Sequence, residues 1–143
     1  MYNILEGDFR KKFLFRKVVL NMKKFLVILM FLLNILGFSA LKNGIYSVEK
    51  KYDGNWKSFV KLTVRDGKII GAQYDRKNQN GELFSMSQNS FRDIALEISR
   101  SLINSQSVSS VTGKDAKAVS EFKEMSNFLI DKANNGETGD FQM

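Results

Sequence analysis

The feature that most constrains this chain is an apolar run, Phe25-Leu-Val-Ile-Leu-Met-Phe-Leu-Leu33, continued past Asn34 to Phe38 and preceded by Met22-Lys23-Lys24. A positive start, an apolar core of roughly 7–15 residues and small residues at the exit describe a secretory signal, whereas a membrane-spanning helix needs about 20 apolar residues. Gly37, Ser39 and Ala40 supply the small residues. Residues 22–40 are therefore expected to be a signal peptide or, failing cleavage, an anchor, and the protein is expected to be exported. Residues 1–21 stand in front of a complete signal. The simpler expectation is that translation starts at Met22 and that this stretch is an artefact of an upstream start codon. The alternative is a basic cytoplasmic extension, in which Arg10, Lys11, Lys12, Arg16 and Lys17 reinforce a positive-inside orientation.

Charge is distributed accordingly. The formal net charge of +7 invites a nucleic-acid reading, but residues 1–40 hold seven Lys/Arg against two Asp/Glu, and residues 41–143 hold fifteen against thirteen. No basic stripe with interleaved aromatics follows Leu41, so phosphate-backbone binding is not expected. The segment after the signal, about 103 residues, suffices for one domain with a single core. With no cysteine and no histidine in the chain, disulfides, thiolate and imidazole metal ligation, lipid attachment through cysteine, and Ser-His-Asp or cysteine nucleophiles are all excluded. The carboxylates are scattered rather than paired. The chain is not expected to be an enzyme acting through its own side chains.

After the signal, Gly44 to Lys50 is short, β-branched and aromatic between Gly/Asn-rich flanks, and predicts a first strand. From Trp56 to Arg65, Val60, Leu62 and Val64 alternate with Lys61, Thr63 and Arg65. Asp66-Gly67 comes next, and then Ile70, Ala72 and Tyr74 share a face. Two alternating runs joined by Asp-Gly predict a hairpin with a type I′ turn. Asp75 to Gly81 reads as a polar loop, after which Leu83, Phe84 and Met86 return apolar surface to the body. The period then changes. Phe91, Ile94, Ala95, Ile98 and Leu102 fall on one helical stripe, with Ser90 as expected N-cap and Asp93 as its capping-box partner. A Ser-rich connection leads to a second stripe, Val119, Phe122, Met125 and Leu129, which stops at Asn134-Asn135-Gly136. The expected fold class is α+β: a small, mostly antiparallel sheet with two amphipathic helices on one face. The domain is bounded at residues 41–136, leaving 137–143 as a flexible tail with little to pack.

One step joins loop chemistry to a helix start. In Ser110-Val111-Thr112-Gly113-Lys114-Asp115, Thr112 and Asp115 have the spacing of a capping box. The same residues suit a phosphate, because a helix N-terminus presents unpaired N–H groups, Gly113 permits close approach and Lys114 adds charge.

Several segments also carry a resemblance: Asn43-Gly44-Ile45-Tyr46, then Asp53-Gly54-Asn55-Trp56-Lys57-Ser58-Phe59-Val60, then Gly67-Lys68-Ile69-Ile70 and Tyr74-Asp75-Arg76-Lys77-Asn78-Gln79-Asn80-Gly81. Together they resemble the FMN-binding domain family, above all its exported, membrane-associated bacterial immunogen and lipoprotein-like members, over about Gly44 to Ala133. In that family the step before the last helix reads Ser-Gly-Ala-Thr, and in some members the Thr carries FMN through a phosphoester bond. Aligned on the glycine, Thr112 and Gly113 match, Lys114 stands in place of Ala, and Asp115 in place of the acceptor Thr. A carboxylate cannot take that linkage, and the family's lipid-bearing Cys is missing. The resemblance thus implies noncovalent FMN, with Thr112 and Gly113 alone carried over as phosphate neighbours; Lys114, which departs from the family, adds charge that offsets Asp115, and Trp56, Tyr74 and Phe84 are candidate walls for the flavin ring.

The resemblance implies an exported flavoprotein serving electron transfer in the cell envelope, with an envelope redox partner and membrane association through residues 22–40. The alternative is a degenerate member that keeps the fold as a noncatalytic module binding a protein or another ligand.

Overall fold

The computed structural model describes residues 10–25 and 40–143. The chain falls into two compact units, residues 1–38 and 39–143. In the first, residues 10–25 form a helix, α1. Residues 26–39, which carry most of the expected export signal, lie outside the described residues, as do residues 1–9. Among the described residues no helix is long and apolar enough to cross a membrane.

The second unit is an α+β domain. Strands β1 (Gly44–Glu49), β2 (Lys57–Arg65), β3 (Lys68–Lys77) and β4 (Gly139–Gln142) form one sheet in the order β3-β2-β1-β4. β1, β2 and β3 pair antiparallel, while β4 runs parallel to β1. The β2–β3 hairpin closes where Asp-Gly predicts it: Arg65 pairs with Lys68, and Asp66 and Gly67 take φ of 52° and 73°. Both turn residues need the left-handed region in a type I′ turn, which Asp tolerates and Gly adopts freely.

Alternation along β3 breaks at a bulge. Ile69 pairs with Val64 and Gly71 with Thr63, so Ile70 is the extra residue. Ile70, expected beside Ala72 and Tyr74 on the inner face, is instead 49% exposed, and Ile69 takes the buried place. A single inserted residue flips the side on which the preceding ones stand. β3 also runs through Asp75, Arg76 and Lys77, which composition alone assigns to a loop.

One face of the sheet presents Tyr46, Val48, Val60, Leu62, Val64, Ile69 and Tyr74, all buried. Helices α2 (Phe84–Ser87), α3 (Asn89–Ser105) and α4 (Ala116–Asn135) come after the hairpin, with a 3₁₀ turn at Val108–Ser110. The α3 stripe buries Phe91, Ala95, Ile98 and Leu102, and the α4 stripe buries Phe122, Met125 and Leu129, as their periodicity predicts. Ile94 and Val119 pack at the margin of this core. Ser90 does not cap α3. The helix begins at Asn89 because α2 delivers the chain to an extended Gln88, whose side chain makes no capping bond.

Two features close the sheet's edges. At the C-terminus of α3, Gln106 turns left-handed, and its side-chain amide accepts from the Ile69 N–H (2.9 Å) and donates to the Ile69 carbonyl (2.8 Å). This side chain pairs with β3 as another strand would, which blunts that edge. On the opposite side, residues 139–142 are not a loose tail. They form β4 along β1, Phe141 packs edge-to-face on Phe128 at 5.7 Å, and the Met143 N–H donates to the Glu49 carbonyl at 2.9 Å. Without β4, one row of β1 backbone groups would be unpaired.

The outer face of the sheet is held by charge. Glu49 on β1 forms ion pairs with Lys57 on β2 and Lys77 on β3. Burial alone would raise the Glu49 pKa, but hydrogen bonds from Lys57 and Lys77 outweigh it and hold the carboxyl below its ordinary value of 4.5. A carboxyl whose folded pKa is depressed stabilises the fold above its unfolded pKa and loses that contribution as pH falls through the folded pKa. Glu49→Gln should therefore lower stability by about 0.5–1 kcal/mol near neutral pH, and the difference should shrink as pH falls progressively below the ordinary carboxyl value of 4.5. Urea midpoints of the two proteins across this range check it; a constant difference would contradict it.

Candidate functional site

A cleft of about 290 Å³ opens where the start of β2, the end of β3 and the first turns of α4 meet; its lining includes Lys50, Lys51, Trp56, Arg76, Lys117 and Glu121. Trp56 is presented by a tight turn, in which Asp53 and Trp56 exchange backbone hydrogen bonds at 2.8 and 3.3 Å around Gly54 (φ 62°) and Asn55. The indole is half-buried, edge-to-face with Phe84 at 5.0 Å.

Phe84 is held in place from below. Asp75 is 4% exposed and has no cationic partner among the described residues; its carboxylate accepts from the Ser85 hydroxyl (2.5 Å), the Ser85 N–H (3.1 Å) and the Arg76 N–H (2.8 Å). These three bonds satisfy the buried carboxylate and tie α2 to β3. From Phe84 the aromatic contacts continue through Phe91 (5.1 Å) to Tyr74 (5.7 Å) and Phe122 (5.7 Å), joining the cleft wall to the core.

Arg76 lies across this aromatic row, its guanidinium 5.8 Å from the Phe84 ring centre and 5.1 Å from that of Phe91. It also stands 3.7 Å from the Glu121 carboxylate. Tyr74 donates its hydroxyl to that carboxylate at 2.5 Å. Burial, and then the bond to Glu121, push the Tyr74 phenol well above its ordinary value, so it remains a donor throughout the physiological range. Lys50 is paired with Glu124 at 2.5 Å, whereas Lys51 and Lys117 have no ion-pair partner among the described residues. Four cations face two carboxylates, Asp53 and Glu121, in the lining. An aromatic wall beside uncompensated cations suits a flat, anionic ligand.

The sequence-predicted site residues divide into two places. Trp56 and Tyr74 meet through Phe84, Phe91 and Arg76, but the Tyr74 ring is 3% exposed and enclosed by Phe91 and Phe122. It supplies a hydroxyl that positions Glu121, not a wall. Thr112, Gly113 and Lys114 lie against α3. The Thr112 N–H donates to Ser101 Oγ at 3.0 Å, and the Lys114 N–H to Glu97 Oε2 at 3.4 Å. A Cβ at Gly113 would meet Ile98 Cγ1 at 2.8 Å and Val119 Cγ2 at 3.1 Å, so close helix packing accounts for this glycine. The expected Thr112–Asp115 capping box does not form. α4 begins at Ala116, three residues too late for Thr112, and Asp115 is itself the N-cap, accepting from the Ala118 N–H at 2.9 Å.

Composition gave no sign of Arg76, Asp75, Ser85 or Glu121. The legible clue for Arg76 was register, since it stands opposite Ser58 on β2 next to Trp56. Among the described residues no group of three or more carboxylates could hold a metal ion.

Two substitutions separate these roles. Asp75→Ala leaves two buried Ser85 groups unpaired and should destabilise the domain by about 2–3 kcal/mol, with a shift in Trp56 emission as Phe84 loosens. Gly113→Ala overpacks Ile98 and should lower stability by about 1–3 kcal/mol while leaving Trp56 emission unchanged. Denaturation followed by fluorescence checks both, and a neutral Gly113→Ala would show that the loop has room for a ligand.

No protein-family model matches the chain, and no curated protein matches it. Two solved structures are similar. The crystal structure of the CPE2226 protein from Clostridium perfringens has a TM-score of 0.64 at 22% identity, covering 72% of this chain and 97% of that one. A solution structure of a Clostridium thermocellum protein has a TM-score of 0.47 at 18% identity, covering 65% and 92%. At this identity the first similarity establishes a shared fold and nothing more.

Proposed function

We propose that residues 41–143 form an exported, noncatalytic binding module whose cleft at Trp56 takes a flat, anionic ligand noncovalently, with FMN as the ligand its sequence resemblance implies. The observation that carries this reading is the half-buried Trp56 ring in a cleft with Lys51 and Lys117, two cations that no carboxylate among the described residues neutralises. In such a complex Trp56 stacks on the ring system, Lys117 and Lys51 meet the phosphate, and Arg76, fixed by Glu121 and two phenylalanine rings, adds charge. Bound flavin would supply electron-transfer chemistry; the protein's part is position and electrostatics. An envelope redox partner belongs to the same proposal.

The entrance to α4 suits the phosphate less well. Its carboxylates, Asp115 and Glu97, already accept the Ala118 and Lys114 N–H groups, and both would repel an anion. The same observation favours a second reading, a module of this fold that no longer holds flavin and binds another partner in the envelope.

Titration of FMN into the full chain, following flavin fluorescence and Trp56 emission together, distinguishes the outcomes. Saturation at micromolar FMN is expected, with Lys117→Glu weakening affinity by about tenfold or more and Lys114→Glu leaving it unchanged. Loss of affinity in Lys114→Glu alone would move the ligand to the α4 entrance. The absence of saturation up to millimolar FMN would favour the second reading.

A further inference from the structure

Helix α1 is basic and apolar with little between. Residues 10–25 contain seven lysines and arginines, eight apolar residues, one asparagine and no carboxylate. At the helical period, Leu14, Phe15, Val18, Val19, Met22 and Phe25 fall within an arc of about 140°, with Lys11 the lone charge among them. Arg10, Lys12, Arg16, Lys17, Lys23 and Lys24 occupy the opposite side, flanking Phe13 and Leu20. The apolar side is open: Phe15, Met22 and Phe25 are 72%, 65% and 68% exposed. Within the helix, Lys17 stands 5.9 Å from the centre of the Phe13 ring.

We propose that α1 lies in the plane of an anionic phospholipid surface, its Phe15–Phe25 side in the acyl boundary and its basic side among the headgroups. Charge complementarity points to an anion-bearing partner, since residues 10–25 carry seven lysines and arginines and no carboxylate. The apolar arc selects a bilayer over a nucleic acid, because phosphate-backbone binding has no use for six aliphatic and aromatic side chains along one side of a helix. Continuity points the same way, as Phe25, the last described residue of α1, opens the apolar run to Phe38. Lys11, in the middle of the arc but in the first turn of the described helix, can bury its stem and raise its ammonium to the headgroups. The assignment concerns residues 10–25, takes residues 1–21 as the basic extension rather than a start-codon artefact, and does not depend on what the Trp56 cleft binds.

The chain has no cysteine, so single-cysteine variants of the full protein can each carry one polarity-sensitive fluorophore. Phe15→Cys and Phe13→Cys place the label on opposite sides of α1. Vesicles of phosphatidylcholine alone, and with about 30 mol % phosphatidylglycerol, separate charge from apolar insertion. Position 15 is expected to become apolar and quencher-protected on the anionic vesicles, with position 13 much less so. Salt should reverse the change. The double substitution Arg16→Gln/Lys17→Gln should weaken partitioning to anionic vesicles by more than about tenfold and leave partitioning to neutral ones, which reports the 25–38 run, unchanged. Equal burial of positions 13 and 15, equal binding to both vesicle types, or tighter binding to duplex DNA than to anionic vesicles would each overturn the proposal.

Discussion

A four-stranded sheet with one apolar face cannot stand alone in water, and the rest of the domain is arranged around covering that face. Tyr46, Val48, Val60, Leu62, Val64 and Ile69 form a continuous buried patch, worth about 1.5–3 kcal/mol for each large side chain removed from solvent. The stripes of α3 and α4 share one core with it, α3 packing on β3 and α4 on β1 and β2, so the sheet's apolar face is covered only when both helices are in place. Tyr74 is where the two requirements meet. Its ring completes the core between Phe91 and Phe122, while its hydroxyl reaches Glu121 on α4 and fixes the side of that helix turned to the cleft.

That coupling accounts for the position of the candidate site. Because Glu121 is committed to Tyr74 and stands near Arg76, Lys117 one turn earlier is left facing the cleft. The N-cap at Asp115 sets the same phase from the other end, since it determines that α4 starts at Ala116. Gly113 serves the packing of the connecting loop on Ile98. The loop that spacing marks as a phosphate cradle is thus explained by helix capping and close packing. The cleft is left with Lys51 and Lys117, which form no ion pair among the described residues.

Where sequence and structure agree, a strong local signal coincides with a tertiary demand. The Asp66-Gly67 hairpin, the two helical stripes and the stop at Gly136 all combine periodicity with a residue that only one backbone geometry favours. Three differences have distinct causes. The bulge at Ile70 leaves no mark in composition and is seen only as a break in register. β4 is four residues long and pairs with a strand more than ninety positions away, so nothing local announces it. Asp75 and Arg76 carry loop-like side chains but extend β3, because the buried bonds from Asp75 to Ser85 and the aromatic row beneath Arg76 satisfy them there. The site was legible only in part: Trp56 stood out as the single tryptophan, whereas the residues that orient its surroundings meet through the fold.

The most direct measurement is a two-dimensional amide and indole NMR spectrum of the labelled protein, recorded with increasing FMN. Binding at the cleft predicts that the Trp56 indole N–H and the amides of Arg76 and Lys117 shift together with one saturation curve, while those of Thr112 to Asp115 stay in place. Shifts confined to Thr112–Asp115, or a spectrum unchanged at millimolar FMN, would contradict it.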